Sequence, residues 1–209
     1  PETLRSGIDP SRGGFAVPCS MIFSGSIPTA ADCLMGIKTV VFDKGLCTPA
    51  EMLEALSADF VGYETLQRHC LAVPKFGNDD DSVDLIAADI ARRFCARVVN
   101  YPTASGKPLW PALYNYLFND HAKILGATPD GRNWGDPIGE HYSPTPGRVE
   151  NGPTAVIRSA AKGPLADACG SSVFHISLPR SIVDGAPGDG TTIIEQLVDG
   201  AIASGVAVM

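Results

Sequence analysis

Apolar positions along the chain switch between two periods, one for strands and one for helices. Phe15 to Phe23 is rich in apolar and β-branched residues and is closed by Ser24-Gly25-Ser26, a strand followed by a turn. From Thr29 to Phe42 the spacing of Leu34, Ile37 and Val41 predicts a helix, stopped at Lys44-Gly45. Thr48-Pro49-Ala50-Glu51 combines a capping box with proline in the first helical turn, and Leu53, Leu56 and Phe60 are the expected buried face of that helix. Val83, Ile86, Ala87, Ile90, Phe94 and Val98 form a long amphipathic stripe. Pro111 to Phe118 reads as a second strand, Thr154 to Lys162 as a short helix or an extended segment running into one, Ser172 to Leu178 as a third strand and Gly185 to Gly190 as a loop. A last helix carries Ile194, Leu197, Val198, Ala201 and Ile202 and delivers the chain into Val206 to Met209, read as the start of another strand.

This alternation points to an α/β fold, and no linker, repeat or low-complexity tract divides residues 1–209, so the chain reads as one unit. A chain of 209 residues can bury about 70% of its unfolded surface, enough for a sizeable core. It opens at Pro1 and stops at Met209 inside an apolar run, which is read as truncation of a longer protein at both ends.

Composition removes several functions. The formal net charge is −7 and the basic residues are scattered, which leaves no electropositive face for nucleic acid. No apolar run approaches the roughly 20 residues needed to cross a bilayer, and no signal pattern opens the chain, so a cytoplasmic protein is expected. Cys19, Cys33, Cys47, Cys70, Cys95 and Cys169 form no Cys-x-x-Cys pair, and are read as reduced thiols packed mostly in the core rather than as metal ligands.

Candidate chemistry is sparse. Asp79 to Asp81 precede the long helix, where carboxylates accept free amide hydrogens and favour the positive dipole end; a cap is expected rather than a metal site. Gly126 to Arg132 reads as a surface turn, with Pro129 presetting the backbone and Gly131 permitting a positive φ. His141 beside Glu140 could transfer protons near neutral pH, but a surface-loop histidine is the favoured reading, as it is for His69, His121 and His175. No nucleophile elbow or phosphate-cradling glycine loop is present.

Three motifs, Lys75-Phe76-Gly77-Asn78-Asp79-Asp80-Asp81, Gly126-Ala127-Thr128-Pro129-Asp130-Gly131-Arg132 and Asn151-Gly152-Pro153-Thr154-Ala155, follow one another in the order found in glycyl radical enzymes. From about Gly13 to Met209 the chain resembles the carboxy-terminal half of that family, the pyruvate formate-lyase-like enzymes. The resemblance implies part of a ten-stranded α/β barrel, in two antiparallel halves with helices outside. It also implies radical chemistry in which a glycine radical passes to a cysteine sulfur that abstracts hydrogen from a small substrate. No cofactor is bound in such enzymes; an activating enzyme using S-adenosylmethionine and an iron–sulfur cluster installs the radical, and the full-length protein is a homodimer.

Neither the Arg-Val-x-Gly-Tyr-like glycyl loop nor the Gly-Cys-x-Glu or Cys-Cys thiyl motif occurs here, so the chain holds no catalytic residue of that chemistry and is expected to be inactive alone. By the resemblance, Thr154 hydrogen-bonds a substrate oxygen and Val156, two residues further along an extended face, shapes the pocket; the competing reading is a helix-capping Thr and a core Val. Phe15 to Ser24 would also line the cavity. Gly139-Glu140-His141-Tyr142-Ser143-Pro144 departs from the Asn-Pro-Met-His-like stretch of pyruvate formate-lyase proper. The expected function is therefore a radical lyase or dehydratase, with formate C-acetyltransferase and a non-catalytic half-barrel binding module as alternatives.

Overall fold

The computed structural model describes residues 2–9, 12, 14, 20–103, 106–115, 118–178, 180 and 190–206. The expected strand at Phe15 to Cys19, most of the Gly185–Gly190 loop and the segment 207–209 lie outside them; Gly190 itself opens a helix. After α1 (Glu2–Ser6), β1 is Met21–Phe23 and α2 is Ile27–Gly36, continued without a break by a π-helical turn at Ile37–Asp43. Next come α3 (Pro49–Ser57), α4 (Glu64–Leu71), α5 (Asp81–Val98), β2 (Trp110–Leu113) and α6 (Phe118–Ile124). The chain continues through α7 (Gly152–Ala161), a 3-10 turn at Leu165–Asp167, β3 (Ser171–Ser172) and α8 (Gly190–Ala203).

The strands make one parallel sheet in the order β1-β2-β3, with Phe23 opposite Ala112 and Leu113 opposite Ser172. Parallel neighbours require long crossovers. α2 to α5 supply the first, and α6 with α7 the second.

The main core forms where α2 meets α5. Ala31, Ala87 and Ala91 are fully buried, and their short side chains let the two helices approach closely under Ile27, Met35, Val83 and Cys95. Gly36 lets the end of α2 lie against the 126–132 segment, since a Cβ there would sit 2.1 Å from the Pro129 carbonyl oxygen. A second cluster joins α7 to α8 through Ile157, Ala201 and Val206. Among the described residues no helix is long and apolar enough to cross a membrane.

The capping box forms as read: Glu51 N donates to Thr48 Oγ1 at 3.2 Å, while Thr48 N donates to the Glu51 carboxylate at 2.7 Å. Asp80 caps α5 by accepting from Ser82 N at 2.8 Å. Four expectations are corrected. The strand at 111–118 ends at Leu113 and gives way to α6, and of 172–178 only Ser172 lies in the sheet. Leu53 is 65% exposed, because α3 buries Met52 and Ala55 instead. Leu34 is exposed as well, because α2 buries Ala31, Asp32 and Met35 instead.

Candidate functional site: the carboxyl ends of the parallel strands

The three motifs are internal fasteners. Asn78 fills its whole hydrogen-bonding capacity: its amide donates to Lys75 O and Arg148 O, and its carbonyl accepts from Glu150 N and Asn151 N, joining the first motif to the third. Lys75, 5% exposed, donates to the carbonyls of Cys70, Leu71 and Val73 and so closes the end of α4. Burial lowers its pKa, while the charges of Asp32 and Asp130 act against that shift. Burial also pushes Asp32 up to about 7, although Phe76 N donates to its carboxylate at 2.7 Å.

The Gly126–Arg132 segment is not surface architecture. Asp130 and Arg132 are 0% and 1% exposed, and all five guanidinium donors are used: Nε on Thr128 Oγ1, Nη1 on Asn133 O and Asp136 O, Nη2 on Leu125 O and Gly126 O. Gly131 takes the positive φ expected of it, 97°.

At the carboxyl ends of the strands the chain gathers a different set of groups. Tyr114 and Asn115 directly follow β2, His175 lies three residues beyond β3, and the loop carrying Glu140 and His141 folds over both. That loop is pinned: Ser26 N donates to His141 O, Ser26 Oγ to Gly139 O, Gly139 N to Thr29 Oγ1, and Tyr142 N to Val173 O. His141 is 5% exposed, so its reading as a surface-loop residue is overturned. Its ring stacks on Tyr114 with centroids 4.5 Å apart and planes 9° apart, and meets His175 edge-on at 4.8 Å.

Proton positions follow from the partners. Asn115 N–H donates to His141 Nδ1 at 3.1 Å, so in the neutral ring the proton sits on Nε2, which lies 3.3 Å from Glu140 Oε1. His175 Nδ1 lies 2.8 Å from Glu140 Oε2; a carboxylate only accepts, so His175 carries its proton on Nδ1. One carboxylate thus receives two imidazole N–H groups. Burial lowers the His141 pKa, the neighbouring Glu140 charge opposes the shift, and His175 adds to it.

The ligand atoms of Glu140, His141 and His175 lie within 4.8 Å of one another, close enough to gather a cation. The proton assignment argues against it. With Nδ1 of His141 already accepting an amide hydrogen, binding through Nε2 would need a ring stripped of both protons, whereas metal-bound histidines donate their second N–H to an acceptor.

His175 also borders a cleft of about 710 Å³ walled by Ile157, Leu165, Phe174, Leu197 and Val206. Clefts at the carboxyl ends of parallel strands are where α/β proteins place ligands. Tyr114 and Asn115 were hidden inside the run read as strand; their position just past an apolar strand was the available signal.

The other sequence candidates lie elsewhere. Thr154 and Val156 do not share an extended face, because 152–161 is helical: Thr154 is exposed near the start of α7 and Val156 is buried. His69 and His121 are exposed, the latter 3.3 Å from the Asn115 amide. Among the described residues Cys33, Cys47, Cys70, Cys95 and Cys169 are free thiols. Burial pushes Cys70 and Cys95 up to about 11, which suits packing better than nucleophilic chemistry, while Cys169 is exposed.

Comparison with known proteins gives this geometry a lineage. Residues 1–120 match the family model described as pyruvate formate lyase-like. Trans-4-hydroxy-L-proline dehydratase of Clostridioides difficile is 37% identical over 166 residues, covering 77% of this chain and 21% of that enzyme. Isethionate sulfite-lyase of Bilophila wadsworthia is 34% identical over 137 residues, covering 63% of this chain and 16% of that enzyme. The solved structure of the B12-independent glycerol dehydratase from Clostridium butyricum, in its glycerol-bound form, superposes with a TM-score of 0.85 at 30% identity, covering 97% of this chain and 26% of that one.

The fold is thus α/β, part of a glycyl radical enzyme barrel. The chain belongs to the pyruvate formate lyase-like family, and it spans between about a sixth and about a quarter of the length of these relatives.

Proposed function

We propose that the whole protein is a glycyl radical dehydratase or lyase acting on a small oxygenated substrate through thiyl-radical hydrogen abstraction, and that this chain supplies part of the barrel wall. The supporting observation is that the likeness to dehydratases runs along nearly the entire chain, 97% of it against the glycerol dehydratase structure. The departure of Gly139 to Pro144 from pyruvate formate-lyase proper favours this over formate acetyl transfer.

In this reading the radical resides on a glycine of the protein. An activating enzyme with S-adenosylmethionine and an iron–sulfur cluster installs it, and the full-length enzyme works as a cytoplasmic homodimer without a bound organic cofactor. This chain alone is inactive. Thr154 offers its exposed hydroxyl to a substrate oxygen, and Val156, buried on the inner side of α7, supports the wall behind it.

The test is anaerobic activation of the full-length protein, followed by incubation with glycerol, trans-4-hydroxy-L-proline or isethionate. Turnover that disappears in air, together with oxygen-dependent cleavage of the polypeptide, is expected; turnover indifferent to oxygen contradicts the reading. In the same assay Thr154→Val should lose about 1 kcal/mol of transition-state binding, several-fold in kcat/KM, if the hydroxyl meets substrate.

A further inference from the structure

We propose that His175 is an acid–base residue of the whole enzyme, serving a hydroxyl-bearing substrate at the carboxyl edge of the sheet, with Glu140 and His141 as its positioning residues. This rests on the dehydratase reading above.

The arrangement is that of an oriented imidazole. Glu140 Oε2 holds the Nδ1 proton of His175 at 2.8 Å, which leaves the lone pair on the far nitrogen, Nε2. In hydrolytic triads a buried carboxylate fixes a histidine tautomer in the same way. His141 sets the carboxylate in turn, with Nε2 3.3 Å from Glu140 Oε1.

Backbone hydrogen bonds hold the frame. Ser143 N donates to Glu140 O at 2.7 Å within the loop, while His175 N donates to Ser143 Oγ at 2.8 Å and Tyr142 N to Val173 O at 3.0 Å, so the loop and the extension of β3 cannot part without breaking the last two. His141 sits at φ 52°, a conformation that costs energy for a residue with a Cβ and persists only where the surroundings impose it.

His175 differs from His141 in being open: its side chain is 55% exposed and borders the apolar-walled cleft. A cleft of apolar walls with one oriented polar group is the usual form of a small-molecule site. Among the described residues, the ionisable groups around the His175 ring are Glu140 and His141 from the loop, with Tyr114 from the end of β2 stacked behind His141 and His121 of α6 reached through Asn115.

The step balances without an added reagent. When the radical of a vicinal diol loses water, the hydroxyl on the radical carbon gives up its proton and becomes a carbonyl, the neighbouring C–O bond breaks, and the unpaired electron ends on that neighbouring carbon. The departing oxygen takes one proton and leaves as water. His175 Nε2 accepts the first proton and returns it to the leaving oxygen, so the imidazole is regenerated.

The experiment uses the full-length protein, activated anaerobically, with radical content measured by electron paramagnetic resonance before each assay. Rates per radical are followed against pH with the vicinal diols glycerol and 1,2-propanediol as probes. His175→Gln should retain the radical yet lose about 10²- to 10⁴-fold in kcat, and lose one limb of the pH profile. Glu140→Gln should lose rate with its radical content intact, because a carboxamide can also donate and no longer fixes the Nδ1 proton of His175. Free imidazole should restore part of the rate to His175→Ala, which a purely structural role would not allow.

Normal radical content with an unaltered rate and profile in His175→Gln overturns the relay and leaves the family reading standing. A protein that takes up no radical, or takes it up and dehydrates none of the probes, overturns the dehydratase reading and the relay with it.

Discussion

His141 combines a backbone at φ 52°, a ring 5% exposed and an Nδ1 committed to the Asn115 amide. Because burial lowers its pKa, the folded chain binds this proton less readily than the unfolded chain, whose imidazole titrates near its ordinary value of about 6.5. Stability from this site is therefore present above that value and is lost as the pH falls through it. The urea midpoint should drop between about pH 7 and about pH 5.5 more in the wild type than in His141→Asn, which cannot titrate and tolerates the left-handed conformation. Equal drops would mean that His141 is not the buried neutral imidazole described here. Sequence showed the Glu140-His141 pair but not its burial, since the partners lie 26 residues away at Asn115 and, for Glu140, 35 residues away at His175.

Among the elements, α5 and α7 are locked by one ammonium. Lys162, immediately after α7, reaches Asp79 at 2.9 Å, Asp81 at 2.6 Å and Asp84 at 2.8 Å, while Ser159 also donates to Asp84. Burial works against the Lys162 charge, but the hydrogen bonds to Asp81, Asp84 and Asp79 outweigh it and hold the pKa above its usual range. Asp84 is fully buried, so Lys162→Met leaves its carboxylate without a counter-charge, held only by neutral donors such as Ser159. The expected loss is about 3 kcal/mol, the low end for stripping one partner from a buried pair because the ammonium is 21% exposed. Chemical denaturation of the variant checks it, and a loss below about 1 kcal/mol, typical of surface pairs, would contradict the lock. Local signals made some of the helices legible: the Thr48 box and Asp80 ahead of α5 act within a few residues, whereas α4 was not read and α6 begins where a strand was expected. Strand lengths were not legible. The 111–118 and 172–178 runs have strand-like composition, but pairing partners decide how much of each joins the sheet, and those lie far off in sequence.

For the whole molecule, family and fold were legible because the motifs sit where the structure leaves little freedom. Arg132 with its five donors used, Asn78 bridging two motifs and Gly131 at positive φ each answer a demand that few residue types meet. The strand-end cluster had no such signature, since Tyr114, Asn115, Glu140, His141 and His175 meet only once the sheet has formed and the 139–145 loop has closed over its edge. The short parallel sheet and the apolar cleft beside α8 fit a chain whose relatives surround the matching region with about three-quarters of their own length. The central claim is that the whole protein carries its reactivity as a radical on glycine. Electron paramagnetic resonance of the anaerobically activated full-length protein measures it directly: a glycine-centred doublet whose intensity tracks activity is the expected result, and a fully active protein without that signal would contradict the account.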